Sequence, residues 1–336
     1  MKAIIMDAPG AMRVGEWETP SPGAGEVVVR VGACGICVGD QLIYGGKNPY
    51  ARFPIIGGHE IAGTVEALGE GVSEFAGGEA VVVEPFLGCG KCYPCRVGKS
   101  NCCAHLQILG VTQPGGFAQR VKAPATHVHR VPDGLSLFEA SFAEPVSIGV
   151  HACERADVQS GEMVLVLGCG PIGLALIEVA RSRFAHVFAA DVQAARREFA
   201  QTLGAQTLEG GDGLLAQVME LTNGEGMPVV IEATGVPSVM ESTVELVAAG
   251  GRVVIVGLAK RGQGVTFPGL DFTRKELTIL GSRTSVNAFP ESLRLLASGA
   301  ISYPRVATQL SLWDAPLVFA ELAQNPTMMH KGVLLA

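Results

Sequence analysis

The pattern of apolar and polar positions changes character near the middle of the chain. Up to about Arg130, short alternating runs rich in Val, Ile and Gly are separated by glycine-containing turns. Residues 26–33 (EVVVRVGA), 61–68 (IAGTVEAL) and 79–84 (EAVVVE) read as strands of a barrel-like β domain. From about Gly161, apolar strands at 163–168, 186–191, 228–234, 252–257 and 277–281 alternate with helical stretches such as 171–182 and 193–204. Repeated β-α units predict a parallel sheet covered on both faces. After Ser285 two amphipathic helices, 290–298 and 315–324, follow with little strand pattern between them. This tail is too short for a domain and is expected to pack on the first one. The expected division is therefore 1–150 with 285–336, and 151–284.

The composition narrows the setting. With 48% hydrophobic and 17% charged residues, a membrane span is worth testing. The best stretch, 163–180, is broken by Gly168-Cys169-Gly170-Pro171, whereas a span needs about 20 continuous apolar residues. The opening MKAIIMDAPG lacks the apolar core of a secretory signal. A soluble, cytoplasmic protein is expected, with no membrane partner. A net charge of −7 without a basic run argues against nucleic acid. The nine cysteines are expected as reduced thiols and metal ligands, since disulfide scaffolds are typically small and secreted.

Three groups of residues carry chemistry. Cys89, Cys92, Cys95 and Cys103 form C-x2-C-x2-C-x7-C within GCGKCYPCRVGKSNCC. Four thiolates at this spacing can close a tetrahedral shell around zinc, leaving no position for substrate, so the site is structural. Gly168-Cys169-Gly170-Pro171-Ile172-Gly173 follows an apolar strand, opens a helix and precedes Asp191 at the end of the next strand. That context reads as a dinucleotide site in which glycines admit a pyrophosphate to a helix N-terminus. Asp191 would bind ribose hydroxyls and favour NAD, while Arg196 and Arg197 leave NADP open. Thr234 and Val256, at or near the ends of later strands, are expected to join the cofactor site. Finally, Cys37, His59 and a carboxylate could hold a second zinc with one open position. Glu60 follows the histidine directly, and Glu144 opens EPVSIGVH. Cys34, Cys153 and Cys169 read as buried thiols.

Taken together, these motifs resemble the zinc-dependent medium-chain dehydrogenase/reductase family. The matching segments are Cys34 to Cys37 with Asp40, Gly58-His59-Glu60, the four-cysteine lobe, Gly115-Gly116-Phe117-Ala118, Glu144-Pro145 and the glycine loop. Residues 144–151 are similar to sorbitol dehydrogenases, and Asn101-Cys102-Cys103 with 275–283 (KELTILGSR) to the L-galactonate 5-dehydrogenase type. The resemblance implies an α/β fold in which a split GroES-like catalytic domain accompanies a Rossmann NAD-binding domain. It implies two zinc ions per subunit and a dimer or tetramer. It raises Cys37 and His59 to catalytic zinc ligands and leaves the third open, with Glu144 preferred as a direct or water-bridged ligand and Glu60 able to exchange in. Asp40 belongs to the same catalytic set. Lys331 matches a basic residue near the cofactor in relatives, its plain reading being a surface lysine. Arg283 matches an arginine facing the substrate pocket, where it could clamp a carboxylate; a salt bridge within the nucleotide domain is the other reading.

The implied activity is reversible oxidation of a secondary alcohol in a polyol or sugar acid to a ketone, with NAD as hydride acceptor. Many relatives carry Ser or Thr two residues after the zinc-binding cysteine and a histidine three further on, as a proton relay. Gly39 and Leu42 stand there instead, so the proton is expected to leave through Glu144 or Glu60. A sorbitol- or threonine-type substrate on the same machinery, or a zinc- and nucleotide-binding regulator without turnover, are the alternatives.

Overall fold

The computed structural model describes residues 1–326 and 328–336, residue 306 by its backbone alone. Contacts divide it into one unit of 1–144, 289–298 and 304–336, and another of 145–288 and 299–303. The boundaries expected at 150/151 and 284/285 thus fall at 144/145 and 288/289. The short return of 299–303 to the second unit has a physical cause. Glu178, buried on the helix Pro171–Ser182, accepts hydrogen bonds from Ser302 N–H at 2.7 Å and Tyr303 N–H at 2.9 Å.

In the first unit, Val27, Val28, Val29 and Val31 are buried and only Arg30 is exposed, so the strand Glu26–Gly35 is covered on both faces over most of its length. Glu60–Leu68 runs antiparallel along one edge. Arg120–Pro124 and Gly332–Leu335 share the other, the first opposite residues 26–30 and the second opposite 33–35. The sheet continues from Glu60–Leu68 through Ala80–Val83 to Val128–Arg130. The tail holds more than helices: Thr308–Ser311 pairs in parallel with Gly332–Leu335, so both are sheet strands. Each is only four residues long, too short for a clear period of two. The chain end is thereby hydrogen-bonded beside Cys34 and Gly35.

A second feature of this unit fixes a functional turn. Gly115 N–H, Gly116 N–H and Phe117 N–H donate to the carbonyls of Ile56, Gly58 and Gly57 at 2.8–3.0 Å. The Phe117 ring lies under Gly57 and Gly58, and stacks edge-on against Phe319 of the helix Ala315–Gln324 at 5.9 Å. The Gly-Gly-Phe motif therefore holds the Gly-Gly-His turn.

The second unit holds six parallel strands. In space they run Gln206–Glu209, His186–Asp191, Met163–Leu167, Met227–Glu232, Val247–Ile255 and Thr278–Gly281. Numbered along the chain this is the order 3-2-1-4-5-6 of dinucleotide-binding sheets. Val164 to Leu167 and Val229 to Ile231 are buried on both faces, as helices on each side require. Gln206–Glu209, absent from the sequence reading, is a four-residue edge strand without buried residues, so it lacks an apolar run. Among the described residues no helix is long and apolar enough to cross a membrane.

Gly58 has φ +87°, and a Cβ there would lie 2.5 Å from Phe117 Cδ1 and 2.7 Å from Cys34 Sγ. Strained backbone and overpacking act together, so Gly58→Ala should lower unfolding free energy by about 2–4 kcal/mol. Urea denaturation with zinc present measures it; an unchanged midpoint would contradict the packing.

Candidate active site

The first cluster is built at a helix start. Cys37 is the N-cap of the helix Val38–Tyr44, and Asp40 at its third position reaches back to accept from Cys37 N–H at 2.9 Å. The other Asp40 oxygen accepts from Gly58 N–H at 3.0 Å and lies 3.7 Å from His59 Nδ1. One fully buried carboxylate thus ties together the two segments that carry Cys37 and His59. Asp40 stands behind those side chains, so its part is to position them. With Nδ1 turned toward Asp40, the other ring nitrogen of His59 is left for a metal.

Cys37, His59 and Glu60 bring one ligand atom each within 4.8 Å of one another. Glu144, expected as a direct or water-bridged third ligand, is outside this cluster. The reason is local: Glu60 opens the strand Glu60–Leu68 immediately after His59, whereas Glu144 arrives on the first turn of the helix Ala143–Arg155. Glu60 is 1% exposed, and its Oε1 accepts from Lys331 Nζ. Its Oε2 and His59 Nδ1 have no hydrogen-bond partner. Gly35 makes room for that carboxylate, since a Cβ there would collide with Glu60 Oε2. Lys331 is neither a surface lysine nor turned outward. It is buried, donating to Glu60 and to the Ile36 carbonyl.

The electrostatics favour a cation. Burial works against protonation of His59, yet Asp40 and Cys37 outweigh it and push it well above its ordinary value. Burial likewise opposes the charge on Lys331, and Glu60 and Cys37 overcome it. Glu144 is pushed up to about 7 by burial, with His59 pulling the other way. Cysteine thiolate, imidazole and carboxylate are a donor set for zinc with a position left open, and the unpartnered Glu60 oxygen fits that use. Gly39 lies alongside: a Cβ there would sit 3.5 Å from His59 Cε1 and 3.8 Å from Cys37 Sγ, in ordinary contact.

The four-cysteine lobe is pinched at its neck by pairing of Phe86–Leu87 with Gln107–Ile108. Cys89, Cys92, Cys95 and Cys103 sulfurs lie within 4.8 Å of one another, while Cys102 is exposed and outside the group. The Cys92–Cys95 and Cys92–Cys103 separations are 3.4 and 3.6 Å. A tetrahedral zinc with ~2.3 Å bonds needs sulfurs about 3.8 Å apart, so the cage fits. The N–H groups of Cys95 and Ala104 pull Cys92 down to about 6, toward the thiolate that zinc requires. Cys34, Cys153 and Cys169 are buried.

In the nucleotide unit the three glycines have distinct reasons. Gly168 has φ +97° and packs on Thr234, and a Cβ on Gly173 would strike the Gly168 carbonyl. Gly170, the N-cap of Pro171–Ser182, has nothing within 4 Å of its would-be Cβ, which is the open approach a pyrophosphate needs. Pro171 and Ile172 form the first turn of that helix. Asp191 accepts from Cys169 N–H at 2.9 Å and Gln193 N–H at 2.8 Å, fixing the glycine loop to the second strand. Arg196 lies 3.7 Å from the Asp191 carboxylate, and Arg197 donates to its carbonyl. Thr234 and Val256 sit in neighbouring loops at strand ends. Arg283 is exposed just past the strand Thr278–Gly281.

Comparison with known proteins agrees with both halves. Residues 23–133 match the alcohol dehydrogenase GroES-like domain, and 171–298 match the zinc-binding dehydrogenase domain. The chain is 36% identical to L-galactonate-5-dehydrogenase of Escherichia coli K12 over 314 residues, 92% of this chain and 91% of that protein. A dehydrogenase of E. coli CFT073 solved with NADH superposes with a TM-score of 0.93 at 32% identity, covering 100% of this chain and 99% of the other. A Sinorhizobium meliloti 1021 protein described as a zinc-binding dehydrogenase, solved with NADP, gives 0.93 at 31% identity with the same coverage.

Two outcomes follow from this geometry. Cys103→Ser should lower zinc by one equivalent per chain in metal analysis, and Cys102→Ser should leave it unchanged; the reverse would reassign the fourth ligand. After zinc is stripped, the Glu144 carboxyl has a higher pKa folded than unfolded, so its contribution is full below about pH 4.5 and is lost as pH rises through about 7. Denaturant titrations across that window should show the stripped chain losing stability relative to Glu144→Gln, and parallel curves would contradict the burial of this group.

Proposed function

As this chain belongs to the zinc-dependent medium-chain dehydrogenase/reductase family of alcohol dehydrogenases, we propose that it reversibly oxidises a secondary alcohol of a sugar acid or polyol to the ketone, with NAD as the hydride acceptor. The substrate type is that of L-galactonate or L-gulonate 5-dehydrogenation. The observation that carries this reading is the buried Cys37–His59–Glu60 cluster, with the carboxyls of Asp40 and Glu144 acting on it. Zinc held there supplies a Lewis acid that lowers the pKa of an alcohol.

The remaining work falls to the chain's own residues. Asp40 holds Cys37 and His59 in register through its two backbone bonds. Lys331 balances Glu60 and keeps one of its oxygens occupied. Glu144, a buried carboxyl whose charge is felt by His59, is the group that would exchange the proton in place of the hydroxyl that Gly39 lacks. Arg283 would clamp the substrate's carboxylate or hydroxyls. Asp191 supports NAD through its placement beside the glycine loop, as does the NADH complex of the E. coli relative. Arg196 at that carboxylate and the NADP complex of the S. meliloti relative support NADP as a second acceptor.

NADH formation with a panel of hexonates, polyols and amino alcohols tests the substrate. Turnover with a hexonate such as L-galactonate or L-gulonate, at least about tenfold better in kcat/KM than with amino alcohols, is expected. A preference for amino alcohols would move the chain to the threonine type. Silence across the panel despite tight NADH binding would make it a regulator that kept the fold, the reading that the missing relay at Gly39 and Leu42 favours. Glu144→Gln should lower kcat and shift or abolish the ionisation that governs it. An unchanged pH profile and rate would exclude Glu144 as the proton acceptor.

A further inference from the structure

Glu232 has no part in the chemistry described so far, yet it is fully buried and accepts an unusual number of donors. It is the last residue of Met227–Glu232. Its Oε1 accepts from Thr234 N–H at 2.6 Å, from Gly235 N–H at 3.0 Å and from the Thr234 hydroxyl. Its main-chain carbonyl accepts from Val256 N–H at 2.8 Å and Gly257 N–H at 3.1 Å, at the end of the adjacent strand Val247–Ile255. One residue therefore takes five donors from two loops.

Those loops are packed with no room to spare. A Cβ on Gly257 would collide with Gly235 N and lie 2.6 Å from Glu232 Oε2, and one on Gly235 would lie 2.7 Å from the Leu258 carbonyl. Thr234 extends the network the other way, its Cγ2 lying 2.8 Å from where a Cβ on Gly168 would be. Ala233 N–H donates to the Leu167 carbonyl at 2.9 Å. Three neighbouring strand ends thus meet here: the Glu232 carboxylate holds Thr234 and Gly235, its main-chain carbonyl holds Val256 and Gly257, and Thr234 packs on Gly168.

The location gives the network a purpose. In a sheet ordered 3-2-1-4-5-6 the direction of winding reverses between the first and fourth strands, here Met163–Leu167 and Met227–Glu232. Ligands of such sheets bind outside the carboxyl ends of the strands at that switch point. Glu232 closes one flank of it from below. A buried carboxylate with one oxygen unpartnered is costly to keep, and hydrophobic filling would serve stability alone. We propose that Glu232 is a positioning residue for the dinucleotide, its carboxylate holding the 233–236 loop, against which Gly257 and Leu258 pack, in its binding arrangement before the cofactor arrives.

This inference rests on the dinucleotide reading, and one titration separates the two. NADH binding is measured by fluorescence for the zinc-loaded wild type, Glu232→Gln and Glu232→Ala, beside NAD kinetics. Failure of the wild type to bind NADH would defeat the dinucleotide reading itself. Given binding, Glu232→Ala should raise the NADH Kd and the NAD KM by about tenfold or more, with kcat at saturating NAD changed far less. Glu232→Gln keeps an acceptor at Oε1 and should recover affinity to within about threefold. A folded Glu232→Ala that binds like wild type, or a Gln variant as weak as the Ala one, would overturn the proposal. Hydrogen exchange on the wild type tests it without any variant. The amides of Thr234 and Gly235, which donate to the carboxylate, should be protected already in the NADH-free enzyme. Protection that arises only on adding NADH would equally overturn it.

Discussion

Everything at the metal site depends on one buried carboxylate. Asp40 is wholly removed from water, which costs several kcal/mol unless its charge is met. It is met by two backbone N–H groups from segments about twenty residues apart and by the facing imidazole. That requirement works in both directions. The carboxylate needs Cys37 and Gly58 where they are, and their being there sets Cys37 and His59 side by side. Around this pair the site accumulates Glu60 and Glu144, with Lys331 as the compensating cation. A field that negative, relieved by a single lysine, makes a divalent cation a favourable occupant.

The β unit is organised to support this arrangement. The Gly-Gly-Phe segment holds the Gly-Gly-His turn through three backbone bonds, and its phenylalanine places the core directly beneath. The chain's last strand is zipped beside Cys34 and Gly35, which brings Lys331 to Glu60 from a point 271 residues away in sequence. The nucleotide unit follows the same logic with different parts. Asp191 binds the glycine loop to the second strand, and the Glu232 carboxylate binds the Thr234–Gly235 turn at the end of the fourth. In both units a buried acid meets backbone donors, and the rigidity it gives is passed to a binding surface.

Much of this was legible in the residues. The cysteine spacing selected Cys103 over Cys102, and the structure places Cys103 in the cage. The glycine loop was readable because strand, turn, helix and acidic residue stand at set distances, all within a few tens of residues. What stayed hidden depends on long-range contact. No local pattern announces that Lys331 pairs with Glu60. Nor does one reveal that Gly35 is small to admit a carboxylate, or that four-residue strands at 206–209, 308–311 and 332–335 complete the sheets. The preference for Glu144 over Glu60 rested on likeness, and no local pattern shows that the residue after His59 is carried to the cluster by the strand it opens. Asp40 was grouped with the catalytic residues, although its position three after an N-cap was a capping signature.

The most direct test of the central claim is anomalous diffraction at the zinc edge from crystals of the zinc-loaded protein. A peak bonded to Cys37 Sγ at about 2.3 Å and to a His59 ring nitrogen at about 2.0 Å, with the Glu60 carboxylate in or next to its shell, is the predicted result. A peak at the four-cysteine lobe alone, with Cys37 and His59 metal-free at saturating zinc, would contradict it.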